Sequence, residues 1–274
     1  FRSEDFHNHA TCQLMAGLFE SHDRSKFDLV AFSYGPTVND EMRQRVMKCF
    51  DDFIDVRSMS DLDVTKRSRD LAIDIAIDLK GYVPGGRVGM FSERCAPVQV
   101  NFLGFPGTMG SEFMDYIVAD HVLIPEEYRK YYSEKIVYLP DTYQPNDLQR
   151  PLAIETPTRD ALGLPANAFV FCCLNDCYKI SPPVFDRWMQ ILKMVDDSVL
   201  WLFTDYEGAA QNLRREAVKR GVDDERLIFC KRAPMTEHLA RYRVADLFLD
   251  TLPYNAHTTA SEALWNGLPV LTCM

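Results

Sequence analysis

Residues 227–272 read LIFCKRAPMTEHLARYRVADLFLDTLPYNAHTTASEALWNGLPVLT, and this stretch decides the fold. Leu227–Cys230, Asp246–Leu249 and Pro269–Thr272 are short apolar runs of strand length, and between them Thr236–Val244 and Thr259–Gly267 have helical spacing. Strand, helix, strand, helix, strand with apolar strands predicts a parallel sheet covered on both faces. Upstream the alternation continues, with strands at Phe169–Cys173 and Val199–Phe203 and helices near Pro183–Val195 and Glu207–Arg220.

A first half shows the same pattern. Phe27–Tyr34, Phe53–Val56, Ile73–Leu79, Val98–Leu103, Tyr116–Ala119 and Lys135–Leu139 read as strands, and Thr11–Phe19 and Asn39–Phe50 as helices, the latter opened by an Asn or Asp cap. The polar stretch Asp141–Asp147, followed by Pro151, Pro157 and Pro165, has the composition of a linker. The expected architecture is α/β with two Rossmann-like parallel-sheet lobes, 1–150 and 151–274, meeting near 140–168 with a cleft between them. No repeat of solenoid length is present in the sequence.

Composition narrows the function classes. The 274 residues are 47% hydrophobic and 26% charged, as in a soluble globular protein. A net charge of −10, from 30 basic and 40 acidic side chains, argues against a nucleic-acid binder, which needs a positive field to release counterions. No apolar run approaches the about 20 residues of a membrane span. The opening Phe1-Arg2-Ser3-Glu4-Asp5 lacks the features of a signal peptide; it and the close at Met274 read as cuts inside a longer chain. The eight cysteines form no zinc pattern and mostly lie in apolar runs, so buried reduced thiols and a cytoplasmic protein are expected.

Ligands of such sheets sit beyond the carboxyl ends of the strands, so polar residues just after each strand are the candidates. Tyr254–Glu262 opens a helix whose free amides and dipole suit an anion, with hydroxyls at Thr258 and Thr259; Glu262 falls one turn down on the same face, placed for a ribose. The alternative is that Thr258 merely caps the helix and Glu262 is a surface acid. Lys179, past the strand Phe169–Cys173, can neutralise a leaving diphosphate or be a solvated lysine. His238 can stack on a base or cap a helix start. In the first half, Asp5–Thr11 carries His7 and His9, one of which can serve as a general base or orient a hydroxyl; metal ligation is the rival reading, without a carboxylate at ligand spacing. Asp78–Tyr82 and Gly104–Gly110 are glycine-bearing loops suited either to close ligand approach or to tight turns, and neither has dinucleotide-fingerprint spacing.

The segments DFHNHAT, GFPGTMGSEFMDYIVAD, LNDCYKI, SVLWL, APMTEH, ADLFLDT and NAHTTASEALWNGLPVLT together resemble the catalytic region of the O-linked N-acetylglucosamine transferases, particularly the bacterial ones, over nearly the whole chain. The resemblance implies a GT-B arrangement, here truncated at both ends, with tetratricopeptide repeats upstream. It implies an inverting transfer from UDP-N-acetylglucosamine to protein Ser or Thr hydroxyls, with neither metal nor cofactor. By the same resemblance His9 is the catalytic histidine, with Ala10 where the family has proline, and Lys179 is the phosphate-binding lysine. His238 packs on uracil; His257, Thr258 and Thr259 form the diphosphate loop; Glu262 stands at the ribose acid. Gly107 and Thr108 are expected on the nucleotide sugar, and Asp78 and Tyr82 on the acceptor side. Asp176 replaces an amide residue near the phosphates, and Met235 replaces a lysine of some members. The plant Spindly proteins look similar and transfer fucose from GDP, but lack the histidine at the place of His257. A catalytically idle binding module of the same fold is the other alternative.

Overall fold

A computed structural model describes residues 1–150 and 152–273. Pro151 of the expected linker and the terminal Met274 lie outside them. Residues 1–150 form one compact unit and the residues from 151 onward a second.

The first unit holds a seven-stranded parallel sheet. In chain order its elements are β1 (Arg2–Ser3), α1 (Ala10–Glu20), β2 (Val30–Ser33), α2 (Glu41–Met47), β3 (Asp52–Asp55), α3 (Asp61–Asp70) and β4 (Ile75–Asp78). There follow α4 (Gly89–Ser92), β5 (Val98–Asn101), β6 (Tyr116–Ala119) and β7 (Lys135–Tyr138). The strand order is β3-β2-β1-β4-β5-β6-β7. The direction of winding therefore reverses between β1 and β4, and a doubly wound sheet takes ligands at that point. One core cluster buries Phe6, Phe19 and Phe50, with Phe6 edge-on to Phe50 and Phe19 tilted against it, and a second is filled around Phe32, Met90 and Phe91.

The second unit repeats the logic with β8 (Phe169–Cys173), α5 (Pro182–Met194), β9 (Ser198–Phe203), α6 (Glu207–Lys219), β10 (Leu227–Cys230), α7 (Met235–Arg241), β11 (Leu247–Leu249), α8 (Thr258–Trp265) and β12 (Val270–Leu271). All pairings in its order β10-β9-β8-β11-β12 are parallel, and the winding reverses between β8 and β11. FVFCC and SVLWLF are buried almost throughout because helices cover both faces, which is why the strands carry no polar alternation. Pro182 and Pro183 start α5, where a missing N–H costs nothing.

Several expected elements differ in extent, and three, β1, α3 and the four-residue α4, were not anticipated. The strand read from Phe27 begins only at Val30, because Phe27 is an exposed residue of the preceding turn. The helix read to Val244 ends at Arg241, followed by a 3-10 turn over Tyr242–Val244. β1 is only two residues long and carries Arg2, whose guanidinium lies between the Phe32 and Phe91 rings at 5.2 and 4.8 Å, so no apolar signal marked it. α3 (DLDVTKRSRD) was hidden by its polarity. It is specified instead by its ends: Ser60 caps it by accepting from the Asp63 amide, with acids in the first turn and arginines in the last. The front of the expected linker is folded onto the first unit, where buried Asp147 accepts from Arg45 at 2.6 Å. Its polar composition reflects ion pairing.

Candidate functional site

In the second unit the loops after β8 and β11 lie on either side of the reversal, and one buried carboxylate shapes the longer of them. Asp250 Oδ1 accepts from the amides of Thr251 (2.8 Å) and Ala256 (2.7 Å), and Oδ2 from the Asn255 side-chain amide (3.0 Å) and the Thr272 hydroxyl (2.6 Å). Asn175 joins the two loops: its amide donates to Thr251 Oγ1 at 3.1 Å, and its oxygen accepts from Thr259 Oγ1 at 2.5 Å. The Thr259 hydroxyl is therefore used within the protein.

This frame brings Lys179 to the start of α8. Its Nζ lies 4.2 Å from the centroid of the Tyr254 ring, and that ring is 5.8 Å from the ring of His257. Lys179 makes no ion pair among the described residues. Burial lowers its pKa, opposed by the charges of Asp176 and Asp250. Burial first, and then the Lys179 charge, lowers the pKa of His257. No side chain caps α8, and His257 rather than Thr258 occupies its N-cap position, so the reading of Thr258 as a simple cap does not hold. The amides of an uncapped helix start beside an unpaired cation have the chemistry to receive an anion.

Glu262, one turn into α8, is 4% exposed and is no surface acid. It accepts from His238 Nε2 at 3.2 Å and from the hydroxyl of fully buried Tyr242 at 3.4 Å. His238 lies inside α7, which Pro234 starts, so it caps nothing. The structure thus joins Lys179, His257, Thr258 and Thr259 in one group and His238 with Glu262 in an adjoining one. Asp176 is exposed and caps no helix with its side chain.

In the first unit His9 lies after β1 and Asp78 is the last residue of β4, the two strands at the reversal. His9 is the N-cap of α1, its Nδ1 accepting from the Thr11 amide at 3.2 Å. Behind it lies a buried ion pair: Lys80 Nζ is 2.9 and 3.1 Å from the Asp5 carboxylate oxygens and 3.0 Å from Glu4 Oε2. Asp78 is buried, with its oxygens accepting from the Lys80 and Gly81 amides at 3.0 and 3.1 Å. That geometry holds a turn, with Gly81 at φ +64°, and leaves the carboxylate little room for an acceptor. Tyr82 is exposed, and its hydroxyl meets Ser111 Oγ at 3.2 Å. The Thr108 hydroxyl donates to buried Glu134 at 2.7 Å, and Asn101 holds the carbonyls of Phe105 and Gly107. Within this loop a Cβ on Gly107 would meet the Phe105 ring at 2.8 Å.

Asp250, Asn175, Tyr242 and the Lys80–Asp5 pair were not singled out from the sequence. The available signal was an acid or amide directly after an apolar strand, as in LFLDT and FCCLN. Among the described residues no group of three or more His, Cys, Asp or Glu side chains is disposed to hold a metal ion, and no helix is long and apolar enough to cross a membrane. Five of the eight free cysteines are buried, but Cys177 and Cys230 are half-buried and Cys273 is exposed. Burial pushes the thiols of Cys12 and Cys173 up to about 12.

The chain as a whole is similar to several known proteins. A probable UDP-N-acetylglucosamine–peptide N-acetylglucosaminyltransferase of Arabidopsis thaliana, SEC, is 37% identical over 98% of this chain, which spans 28% of that relative. A UDP-N-acetylglucosamine–peptide N-acetylglucosaminyltransferase of Caenorhabditis elegans is 28% identical over 98% of the chain, covering 33% of its own length. A solved variant of the Thermobaculum terrenum O-GlcNAc transferase superposes on 99% of the chain with a TM-score of 0.89 and 32% identity; 51% of that protein is covered. With two parallel sheets, this match places the fold in the GT-B class. The model of glycosyl transferase family 41 matches residues 1–154 and 145–274, and the chain belongs to that family.

Proposed function

We propose that this chain carries the catalytic region of an inverting, metal-independent transferase that moves N-acetylglucosamine from UDP to Ser or Thr hydroxyls of proteins. The observation that carries the reading is the unpaired Lys179 ammonium beside the uncapped start of α8, with His238 and Glu262 in the adjoining group. A nucleoside diphosphate offers matching chemistry: two phosphates for the cation and amides, a ribose for the carboxylate and a planar base for the imidazole. In the transfer the anomeric carbon bonds the acceptor oxygen on the face opposite the leaving group. The bond to the diphosphate breaks with its electron pair, and a proton is released with UDP. Charge grows on the diphosphate as it departs, so Lys179 and the α8 amides contribute more in the transition state than before it. His9 of the first unit is assigned to the substrate oxygens.

The names of the plant and nematode relatives support a peptide acceptor. The free, mostly buried thiols suit a reducing compartment, so the proposal places the protein in the cytoplasm. Tetratricopeptide repeats upstream belong to the same proposal.

Calorimetric titration with UDP and with GDP, combined with UDP release from UDP-N-acetylglucosamine in the presence of a Ser/Thr peptide, tests the reading. Tighter binding of UDP and peptide-dependent release unaffected by chelator are expected. Tighter GDP binding refutes the donor, and UDP binding without transfer points to a binding module.

A further inference from the structure

The buried carboxylate of Glu262 is held unevenly. Both of its described donors meet one oxygen, with His238 Nε2 at 3.2 Å from Oε2 and the Tyr242 hydroxyl at 3.4 Å. They come from different elements, His238 from α7 and Tyr242 from the 3-10 turn after it, and their rings meet edge-on at 5.3 Å. Tyr242 has no exposed surface, and burial together with the Glu262 charge pushes its hydroxyl well above the ordinary value, so it stays a donor. The Tyr242 oxygen is also 3.5 Å from His238 Nε2. A proton on that nitrogen satisfies all three contacts, whereas a bare nitrogen would face Oε2 as a second acceptor. Oε1 has no hydrogen bond among the described residues, and no lysine or arginine there pairs with the carboxylate. A buried charge left short of donors costs free energy, so the open acceptor on Glu262 calls for a partner from outside the chain.

We propose that Tyr242 is a positioning residue for ribose recognition: with His238 it pins Oε2 of Glu262 and leaves Oε1 to accept from the vicinal hydroxyls of a ribose, so that the site selects ribonucleoside over dideoxyribonucleoside diphosphates. The proposal rests on the nucleoside diphosphate reading above and adds the device that reads the sugar of the nucleotide. The last torsion of a glutamate side chain is broad, and two donors converging on one oxygen narrow it. His238 alone is the weaker hold, because its side chain is 20% exposed where that of Tyr242 is wholly enclosed. Being enclosed, Tyr242 touches no ligand and acts only through Glu262. Its ring belongs to the core of the second unit, so phenylalanine fills the same space and removes the hydroxyl alone.

Calorimetric titration of the whole chain with UDP and with 2′,3′-dideoxy-UDP tests this through the ratio of the two dissociation constants. The wild type should favour UDP by about 10- to 150-fold, the worth of a hydrogen bond to a charged group. Tyr242→Phe should lower that ratio at least threefold while its affinity for dideoxy-UDP stays within about twofold of the parent's. Glu262→Gln should lower the ratio further, and adding Tyr242→Phe to it should change the ratio no more, because the tyrosine acts through the carboxylate. A tyrosine that merely supports the core would weaken both ligands alike, so an unchanged ratio in Tyr242→Phe overturns the inference. Should that variant fail to fold, the same question passes to His238. His238→Ala removes a donor to Oε2 and should lower the ratio, and His238→Gln, which keeps an N–H, should restore it; equal ratios in the two overturn the inference. A wild type that binds UDP and dideoxy-UDP equally refutes the ribose contact alone, whereas one that binds neither UDP nor GDP refutes the nucleotide site on which it rests.

Discussion

Replacing Lys179 with methionine separates binding from folding, because Lys179 contributes little to the fold it sits in. Its one described partner is the Tyr254 ring at 4.2 Å, a contact worth about 0.5–1 kcal/mol at a partly exposed site. Against that stands the burial that lowers its pKa, an unfavourable term for the charged form that methionine removes. The two oppose each other, so Lys179→Met should change folding stability by less than about 1 kcal/mol, or roughly 2–4 °C in Tm for a protein of this size. The ligand side is different. A hydrogen bond to a charged group is worth about 1.5–3 kcal/mol net, so UDP affinity should fall by about 10- to 150-fold. Transfer should fall further, by on the order of 10²–10³, because the diphosphate gains charge as it leaves. Calorimetric titration with UDP, a thermal melt and a peptide-glycosylation rate on the same preparation give all three numbers. UDP affinity within twofold of the parent, in a variant with an unchanged melt, would refute the placement of the diphosphate beside Lys179.

Three further outcomes follow from neighbouring groups. Tyr254→Phe keeps a ring under the ammonium and should hold UDP affinity within about twofold, whereas Tyr254→Leu should weaken it about two- to fivefold, the equivalent of the lost cation–π contact; equal behaviour of the two variants would exclude the ring contact as the cause. Asp176 is exposed, and its charge raises the Lys179 pKa, so Asp176→Asn should leave UDP affinity unchanged or improve it; titration showing more than about a tenfold loss would mean the acid itself holds ligand. His257 has its pKa lowered from 6.5, so the unfolded chain takes up that proton first on acidification. Its contribution to stability is complete above pH 6.5 and is lost as pH falls through the folded value; His257→Gln should flatten the decline in Tm between about pH 7 and pH 5, and a steeper decline would contradict the sign.

By itself the sequence determined the class of fold and the strand ends at which chemistry belongs. Apolar runs such as FVFCC and SVLWLF can be stable only where helices cover both faces, and the alternating helices follow from that, so a local pattern carries a global consequence. Lys179 and the loop beginning α8 were legible for the same reason: polar residues directly after buried strands have nowhere to go but the sheet edge. Elements whose stability comes from partners were not legible. β1 is two residues held by its neighbouring strands and by rings stacked on Arg2, and α3 is set by its caps. The tertiary structure alone decided which nearby polar groups serve the frame. Asp78 holds a turn and the Thr259 and Thr108 hydroxyls are used within the protein, while Lys179 makes no ion pair among the described residues. Whether a carboxylate or hydroxyl is available to a ligand depends on donors brought from distant segments, as Asp250 shows with Thr272 and Glu262 with His238 and Tyr242. Those distances depend on how the sheet is wound, and no spacing along the chain encodes them.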